Sequence, residues 1–268
     1  MPEIGCPALV VGHPGHELKV FGWMSAYKPR VYVITNGSGR HGISRISSTA
    51  GLLTSLGVCQ DEIFGYYSDA QIYNAILQQN FSIVFHLLDD LAASFLRHNI
   101  DCVVGDAAEG FNPAHDLCRS LINAAVLLVE RTSGRKITNL QVSLTEWEHD
   151  CPQPRHDDSC LHWSLDDSLL AEKIAAARQY FELKAEVQRA IAQRGEEYFR
   201  LECLRRTEDM DLLHFIANKP AYETWGEQRA VEGRYQNVIR FQQHLLPMMK
   251  AIFNYANQAT LEAFAGWQ

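Results

Sequence analysis

Two histidines and a glutamate stand close together near the start of the chain, in the run His-Pro-Gly-His-Glu that begins at His13. Imidazole nitrogens and carboxylate oxygens are zinc ligands, so residues at this spacing can form part of a metal site. The run follows directly on the apolar stretch 8–12, and such a stretch bounded by turn residues is typical of a buried parallel strand. Gly15 lies between the two histidines and has no side chain for acid–base chemistry.

Two further loops with polar residues and glycines follow apolar runs. The stretch 35–42, Thr-Asn-Gly-Ser-Gly-Arg-His-Gly, contains glycines that permit a tight backbone path near a ligand. The stretch 105–116 contains an Asn-Pro pair ahead of His115, which falls at the start of a helix. Open α/β sheets bind ligands at the carboxyl ends of their strands, where these loops can converge. We therefore expect His13, His16 and His115 to lie together.

These three histidines have the donor types of a catalytic zinc centre. Three neutral imidazoles with a fourth position for water are a recognised arrangement. Zinc held in this way lowers the pKa of its water to about 7 and polarises a carbonyl group. The spacing alone leaves a plain interpretation open, in which His115 is a hydrogen-bonded loop or capping residue.

The elements that must position these residues alternate between strand and helix. The predicted strands are Ala8–Gly12, Arg30–Thr35, Asp101–Gly105 and Leu140–Trp147, and the predicted helices are Ser48–Leu56, Asp69–Arg97 and Asp116–Arg131. This alternation favours a parallel sheet covered by helices on both faces. The prediction is a three-layer, Rossmann-like α/β fold with a mostly parallel sheet.

The rest of the chain is predicted to be mainly helical. Its parts are a polar hairpin tip at 148–159, a returning strand at 162–165, and a long helical stretch at 169–206 capped by Asp166 and Asp167. We expect an α/β domain over residues 1–185 and a mainly helical C-terminal extension over residues 186–268 that packs on it.

Composition restricts the class of protein. Lys and Arg total 24 against 32 Asp and Glu, a net charge of −8, whereas nucleic-acid binding requires a basic patch. No stretch approaches the roughly 18 apolar residues of a membrane helix, and the first residues do not resemble a signal peptide. Seven scattered cysteines fit reduced thiols. We expect a cytoplasmic protein with a small-molecule substrate and neither nucleic acid nor membrane as partner; a homo-oligomer is left open.

A second group of metal-ligand residue types follows the last predicted core strand. It comprises Cys151, His156, Cys160 and His162. The paired Cys-x₂₋₄-Cys element of standard zinc sites is missing, so we favour a solvated hairpin tip over a zinc site.

The order of the motifs resembles the PIG-L/LmbE-type N-acetylglucosaminyl deacetylase family. The shared order is an apolar strand, His-Pro-x-x-Glu, a strand ending in Thr-x-Gly with further glycines in the loop that follows, and a distal x-Pro-x-His that enters a helix. Arg45, ahead of the Leu-Gly-Val at 56–58, is similar to an arginine of that family. The resemblance covers approximately residues 5–185. It implies an LmbE-like fold and removal of the acyl group from an N-acyl amino sugar or related small amide by a zinc-activated water.

The resemblance also implies roles for individual residues. His13 and His115 match zinc ligands, and His16 stands where the family has an aspartate ligand. Arg45 matches a position that holds substrate. Asn112 stands where the family has a histidine that assists charge stabilisation, so we assign it to the substrate side of the site.

Gly15 stands where the family has the aspartate that serves as general base. General-base catalysis is typically worth about 10²–10⁴-fold, so a replacement is required for turnover. Asp106 and Glu109 are the candidate catalytic bases, with Glu17 and Asp116 behind them.

Three hypotheses about function follow. The leading one is an N-deacetylase that depends on zinc or another divalent metal ion, that is, a hydrolase of non-peptide C–N bonds. The alternative is a non-catalytic binding or regulatory protein of the same fold that lost the general base at Gly15. A third is a structural partner in a carbohydrate-assembly complex that acts through its helical C-terminal part.

Overall fold

The computed structural model describes residues 4–39, 42–145, 160–207 and 219–259. Its strands are β1 (Pro7–Val11), β2 (Arg30–Thr35), β3 (Gln60–Tyr67), β4 (Cys102–Asp106), β5 (Thr138–Val142), β6 (Cys160–Ser164) and β7 (Leu201–Arg206). Its α-helices are α1 (Phe21–Tyr27), α2 (Ile46–Leu56), α3 (Asp69–Gln78), α4 (Phe81–Arg97), α5 (Pro113–Ser133), α6 (Asp167–Gln179), α7 (Lys184–Arg194), α8 (Ala221–Val231) and α9 (Leu246–Gln258). Short helical turns cover His16–Val20, Phe181–Leu183, Glu197–Arg200 and Phe241–Leu245.

The seven strands form a single sheet in the order β3-β2-β1-β4-β5-β7-β6. The first five in this order are parallel, whereas β7 runs antiparallel to both β5 and β6. At the centre, Leu9 of β1 lies opposite Val31 of β2 and Val104 of β4. Strands buried on both faces need continuous apolar sequence, which explains why β1 and β4 contain almost no polar residues. The predicted α/β fold with a mostly parallel sheet is confirmed.

Two apolar cores lie on opposite faces of the sheet. Leu9 and Val11 point into a cluster that includes residues of α1 and α2. Their neighbours Ala8 and Val10 point to the other face, because successive side chains of a strand alternate. That second cluster contains the buried residues of α4, α5 and α9. The helices therefore cover both faces and leave the strand ends to form the site.

The predicted helix over Asp69–Arg97 is two helices. Ser68 caps α3, and its side chain and that of Gln71 form a reciprocal capping box. Gln79 then adopts a left-handed conformation with φ 51°, and its N–H bonds to the carbonyls of Ala75 and Ile76. This turn ends α3, and α4 begins at Phe81. Because a non-glycine residue makes the turn, no glycine or proline marks the break in the sequence.

The predicted helical stretch over 169–206 is wrong at its end, where the chain forms β7. Between α6 and β7 the chain also breaks at residue 180 and after residue 194. In β7 the alternate residues Glu202 and Leu204 are buried, which is the burial pattern of a strand. The segment is only six residues long and contains several charged residues, so its sequence alone does not show this pattern. The capping role of Asp166 is confirmed, since its side chain accepts the N–H of Leu169 at 2.8 Å.

Strand β7 also affects the proposed domain boundary. It lies between β5 and β6, so chain beyond residue 185 contributes to the same sheet as β1. The division into 1–185 and 186–268 stays a prediction. The predicted strand Leu140–Trp147 begins earlier, as β5 over Thr138–Val142. The predicted tip 148–159 lies outside the described residues.

The C-terminal part is helical over much of the described range and packs against α4 and α5. Met248, Ile252 and Ala256 of α9 are buried in the same cluster as Leu88 and Leu121. Within the described residues, no helix is both long and apolar enough to cross a membrane.

Candidate metal centre and active site

His13, His16 and His115 lie together at the carboxyl ends of the parallel strands. One nitrogen of each ring lies within 4.8 Å of the corresponding nitrogens of the other two. The ring centroids are separated by 4.6 Å between His16 and His115, 4.9 Å between His13 and His115, and 5.3 Å between His13 and His16. His13 and His115 are buried and His16 is half-buried. The cluster is therefore shielded from bulk water on most sides.

Local structure explains how the chain presents these rings. His13 follows the last residue of β1 by two positions, and His16 begins a short helical turn. His115 lies in the first turn of α5. Asn112 caps that helix, since its side-chain oxygen accepts the N–H of Ala114 at 2.8 Å, and Pro113 occupies the first helical position. The Asn-Pro pair therefore fixes where the helix begins and where His115 lies.

Asp106 contacts His16 from beneath the site. It is the last residue of β4, is fully buried, and its Oδ2 lies 2.8 Å from Nδ1 of His16. The same oxygen accepts the N–H of Gly12 at 2.7 Å. A carboxylate at Nδ1 holds the ring hydrogen there, which leaves Nε2 of His16 as the ligating nitrogen.

Asp69 contacts His13 from the other side, and the sequence analysis did not identify it. Its Oδ1 lies 3.3 Å from Nε2 of His13, and Oδ2 accepts the N–H of Gly39. Burial favours protonation of Asp69, but the contact with His13 outweighs it and lowers the pKa of Asp69 to about 2. Asp69 follows the last residue of β3 by two positions and so lies at a fourth strand end of the same sheet edge. Because the apolar runs did not predict β3, the sequence carried no signal for this contact.

The residues present fit a metal that prefers nitrogen ligands. Nδ1 of His13 and Nδ1 of His115 are buried and have no hydrogen-bond partner among the described residues. Burial lowers the pKa of His13, and burial together with the two neighbouring imidazoles lowers that of His115 well below its usual value. Both rings are therefore neutral at pH 7, the form that ligates metal ions. A set of three imidazole ligands suits zinc.

Gly15, between the two histidines, has no room for a side chain. Its φ of 105° is a conformation that favours glycine. A Cβ built on it would lie 2.5 Å from Cδ1 of Leu183, with the ring of Tyr180 also in contact. The space that a side chain at this position would need is therefore taken up by the turn between α6 and α7.

Glu17 lies beneath this turn. It is fully buried, and its Oε2 accepts the N–H of Gly15 at 2.7 Å. Burial raises the pKa of Glu17 and also that of Tyr180, whose hydroxyl bonds to Thr49. Glu17 thus supports the loop of the two histidines. Tyr180 and Thr49 were not identified from the sequence.

Glu109 of the β4–α5 loop and Asp116 in the first turn of α5 are two further carboxylates, and both are engaged in holding that loop. Both oxygens of Glu109 are bound, one by the hydroxyl of Ser143 and the other by the N–H groups of Leu144 and Thr145 at 3.0 Å. Asp116 Oδ1 accepts the N–H of Glu109 at 3.0 Å and that of Gly110 at 3.2 Å. Burial raises the pKa of Asp116 to about 7. These bonds connect the loop after β4 with the loop after β5.

Arg45 and Asn112 lie at the side of the site nearest α2 and α3. Arg45 is half-buried and precedes α2. Its Cδ would lie 3.1 Å from a Cβ on Gly37, which would in turn lie 2.8 Å from Cδ of Pro14. Asn112 also donates from Nδ2 to the hydroxyl of Tyr73 at 3.1 Å. Arg45 therefore lies beside the loop that holds His13.

A cavity of about 590 Å³ begins beside Gly15 and extends between α6, α7 and β7. Its lining is predominantly apolar and includes Leu18, Ile174, Leu183, Val187, Ala190 and Phe199. Charged side chains, among them Lys19 and Arg205, also line it. The cavity is large enough for a small organic group next to the histidine loop.

No protein-family profile and no curated protein matches this chain. Similar solved structures include the A40926 pseudoaglycone deacetylase Dbv21, which is 14% identical with a TM-score of 0.47, over 75% of this chain and 96% of the other. The zinc-inhibited form of the teicoplanin deacetylase Orf2 is 14% identical with a TM-score of 0.45, over 76% of this chain and 100% of the other.

Proposed function

We propose that this protein is a metal-dependent hydrolase that removes the acyl group from an N-acyl amino sugar or a related small amide. The observation that carries the proposal is the set of three imidazoles whose nitrogens lie within 4.8 Å of one another at the carboxyl edge of a parallel sheet. The motif order along the sequence supports the same reaction class.

His13, His16 and His115 would hold the metal ion, most suitably Zn²⁺. When bound, this ion supplies Lewis acidity toward water and the acyl carbonyl oxygen. Asp106 orients the ring of His16, and Asp69 contacts the ring of His13. Carboxylates in this position fix the tautomer of a ligating histidine and raise its basicity.

We assign the role of proton acceptor to Asp106 rather than to Glu109. Asp106 Oδ1 is buried without a hydrogen-bond partner among the described residues, and its other oxygen contacts His16. In contrast, both oxygens of Glu109 are used by residues 143–145. Glu109 therefore serves to hold the loop after β5. Asp69, the other carboxylate in contact with the cluster, is the residue to compare with Asp106 by mutation.

Arg45 and Asn112 are proposed to face the substrate. A guanidinium beside the histidine loop is suited to hydrogen-bond the hydroxyl and carbonyl oxygens of an acylated sugar. The apolar cavity beside Gly15 is suited to the hydrocarbon part of the acyl group, because burying each methylene contributes about 0.8 kcal/mol.

The test is to incubate the protein, loaded with Zn²⁺, with a panel of N-acyl glucosamines and to measure the free amine that hydrolysis releases. We expect turnover that His115→Ala abolishes and that His86→Ala, at an exposed histidine of α4, leaves intact. A zinc-loaded protein that binds members of the panel but hydrolyses none would favour the non-catalytic alternative, which the absence of a side chain at Gly15 motivates.

A further inference from the structure

We propose that Cys160, His162 and Cys203 form a second metal site, for Zn²⁺ or another divalent ion that prefers thiolate ligands. One ligand atom of each residue lies within 4.8 Å of the other two. None of the three belongs to the histidine cluster, so metal binding at this site can be tested separately from the proposed hydrolase activity.

The pairing of β6 with β7 brings these residues together. The two strands are antiparallel, and His162 lies directly opposite Cys203. Cys160 precedes His162 by two positions, so both side chains point to the same face of β6. Directly opposite residues have Cβ atoms about 4.5–5.5 Å apart, a separation that one metal ion can bridge. The three ligands therefore lie on one face of a two-stranded ribbon.

The donor set is that of a zinc site. Two cysteine sulfurs and one imidazole nitrogen are common zinc ligands, and two thiolates balance the charge of the dication. Ion binding displaces the thiol protons into solvent. All three residues are half-buried, so an ion can reach them and is then partly shielded.

The location suggests what the ion would do. Strand β6 is the edge of the described sheet, and its pairing with β7 attaches it to the rest. An ion held by both strands would cross-link the edge to its neighbour and stabilise the folded state by mass action. Cys203 also lines the apolar cavity, so the same ion would fix one wall of that cavity.

The sequence interpretation of this region needs correction. It assigned Cys160 to a solvated hairpin tip because no paired cysteine stood near it in the chain. The structure places Cys160 in β6 and supplies the second cysteine from β7, more than forty residues further on. The two cysteines are brought together only by the pairing of β6 with β7, so their spacing along the sequence does not indicate a shared metal site.

The experiment is a titration of the reduced protein with Co²⁺ under anaerobic conditions, because thiolate ligands give a sulfur-to-cobalt charge-transfer band that a histidine-only centre cannot give. We expect this band in the wild-type protein and in His13→Ala/His115→Ala, at close to one equivalent in the latter. Cys203→Ser should abolish the band. The matched control Cys59→Ser, at an exposed cysteine of the opposite half of the sheet, should retain it.

A second readout separates metal binding from folding. We expect Zn²⁺ to raise the melting temperature of the wild-type protein and of Cys59→Ser more than that of Cys203→Ser. Absence of the charge-transfer band in the reduced wild-type protein, or its persistence in Cys203→Ser, would overturn the proposal. A disulfide between Cys160 and Cys203 in protein kept under reducing conditions would overturn it as well.

Discussion

Leu183 fills the space that a side chain on Gly15 would need: a Cβ on residue 15 would lie 2.5 Å from Cδ1 of the leucine. The resemblance to the PIG-L/LmbE-type family implies a general base at this position. The turn that follows α6 therefore packs directly against the backbone of Gly15, and Leu183 occupies the space that a side chain there would fill. An aspartate at residue 15 would therefore meet Leu183 unless the leucine moved.

Gly15→Asp should destabilise the protein by about 2 kcal/mol, because a strained backbone conformation costs roughly 1–3 kcal/mol and the leucine must also move. The cost should be smaller in a Leu183→Ala background, which opens the space. Urea denaturation of the wild-type protein, the two single variants and the double variant measures the energetic coupling between residues 15 and 183. Gly134→Asp is the matched control, since Gly134 also has positive φ but open space around it. Equal costs of Gly15→Asp in both backgrounds would refute the contact argument.

Asp106→Asn should weaken metal binding by about 10–100-fold while the fold is retained, because the carboxylate orients the His16 ring and raises its basicity. Competition with a chelator measures the affinity. Asp101→Asn serves as control, because Asp101 caps the N–H groups of Gly5 and Cys6 at the opposite end of the same strands. Unchanged metal affinity in Asp106→Asn would exclude the proposed role of Asp106 in orienting the His16 ring.

Lys173→Met should lower the free energy of unfolding by about 3–5 kcal/mol, since it leaves the charge of Glu202 buried without its cation. The ammonium of Lys173 lies 2.9 Å from Glu202, whose carboxylate also accepts the N–H groups of Gly22 and Trp23. Lys136→Met, in an exposed pair with Glu130, should cost less than about 1 kcal/mol. Similar costs for the two variants in urea denaturation would contradict this reading.

Ala190→Phe should narrow the apolar cavity and select against long acyl groups. We expect kcat/KM to fall by at least about tenfold for a longer N-acyl chain and to change little for the N-acetyl substrate, as one methylene in an apolar pocket is worth about 1–3 kcal/mol. Ala185→Phe, at an exposed position of the same helix, is the control. An equal loss for both substrates would show that the cavity does not take the acyl chain.

Four of the five parallel strands could be predicted from their apolar runs, whereas the parallel strand β3 and the antiparallel strand β7 could not. Buried parallel strands such as β1 and β4 are almost entirely apolar, so the sequence shows them directly. The meeting of His13 with His115 follows from one rule, that parallel strands place their carboxyl ends on one edge. β7 is short and charged, and it forms a strand because it pairs with β5 on one side and β6 on the other, not because its own composition favours one.

The supporting contacts of the site were also beyond the reach of sequence patterns. Asp69 looks like an ordinary first residue of a capped helix, and only the packing of α3 against the histidine loop brings it to His13. Likewise, the contact of Leu183 with Gly15 joins segments far apart in the chain. Such contacts depend on how helices pack on the sheet, which local spacing does not determine.

The metal content of the purified protein tests the central claim most directly. The measurement is best made on Cys203→Ser, so that ions at the second proposed site do not contribute. We expect close to one zinc per chain after equilibration with Zn²⁺ and dialysis, nearly none when His115→Ala is added, and full retention when His86→Ala is added instead. Absence of bound metal in the Cys203→Ser protein, or metal content that His115→Ala leaves unchanged, would contradict a three-histidine centre.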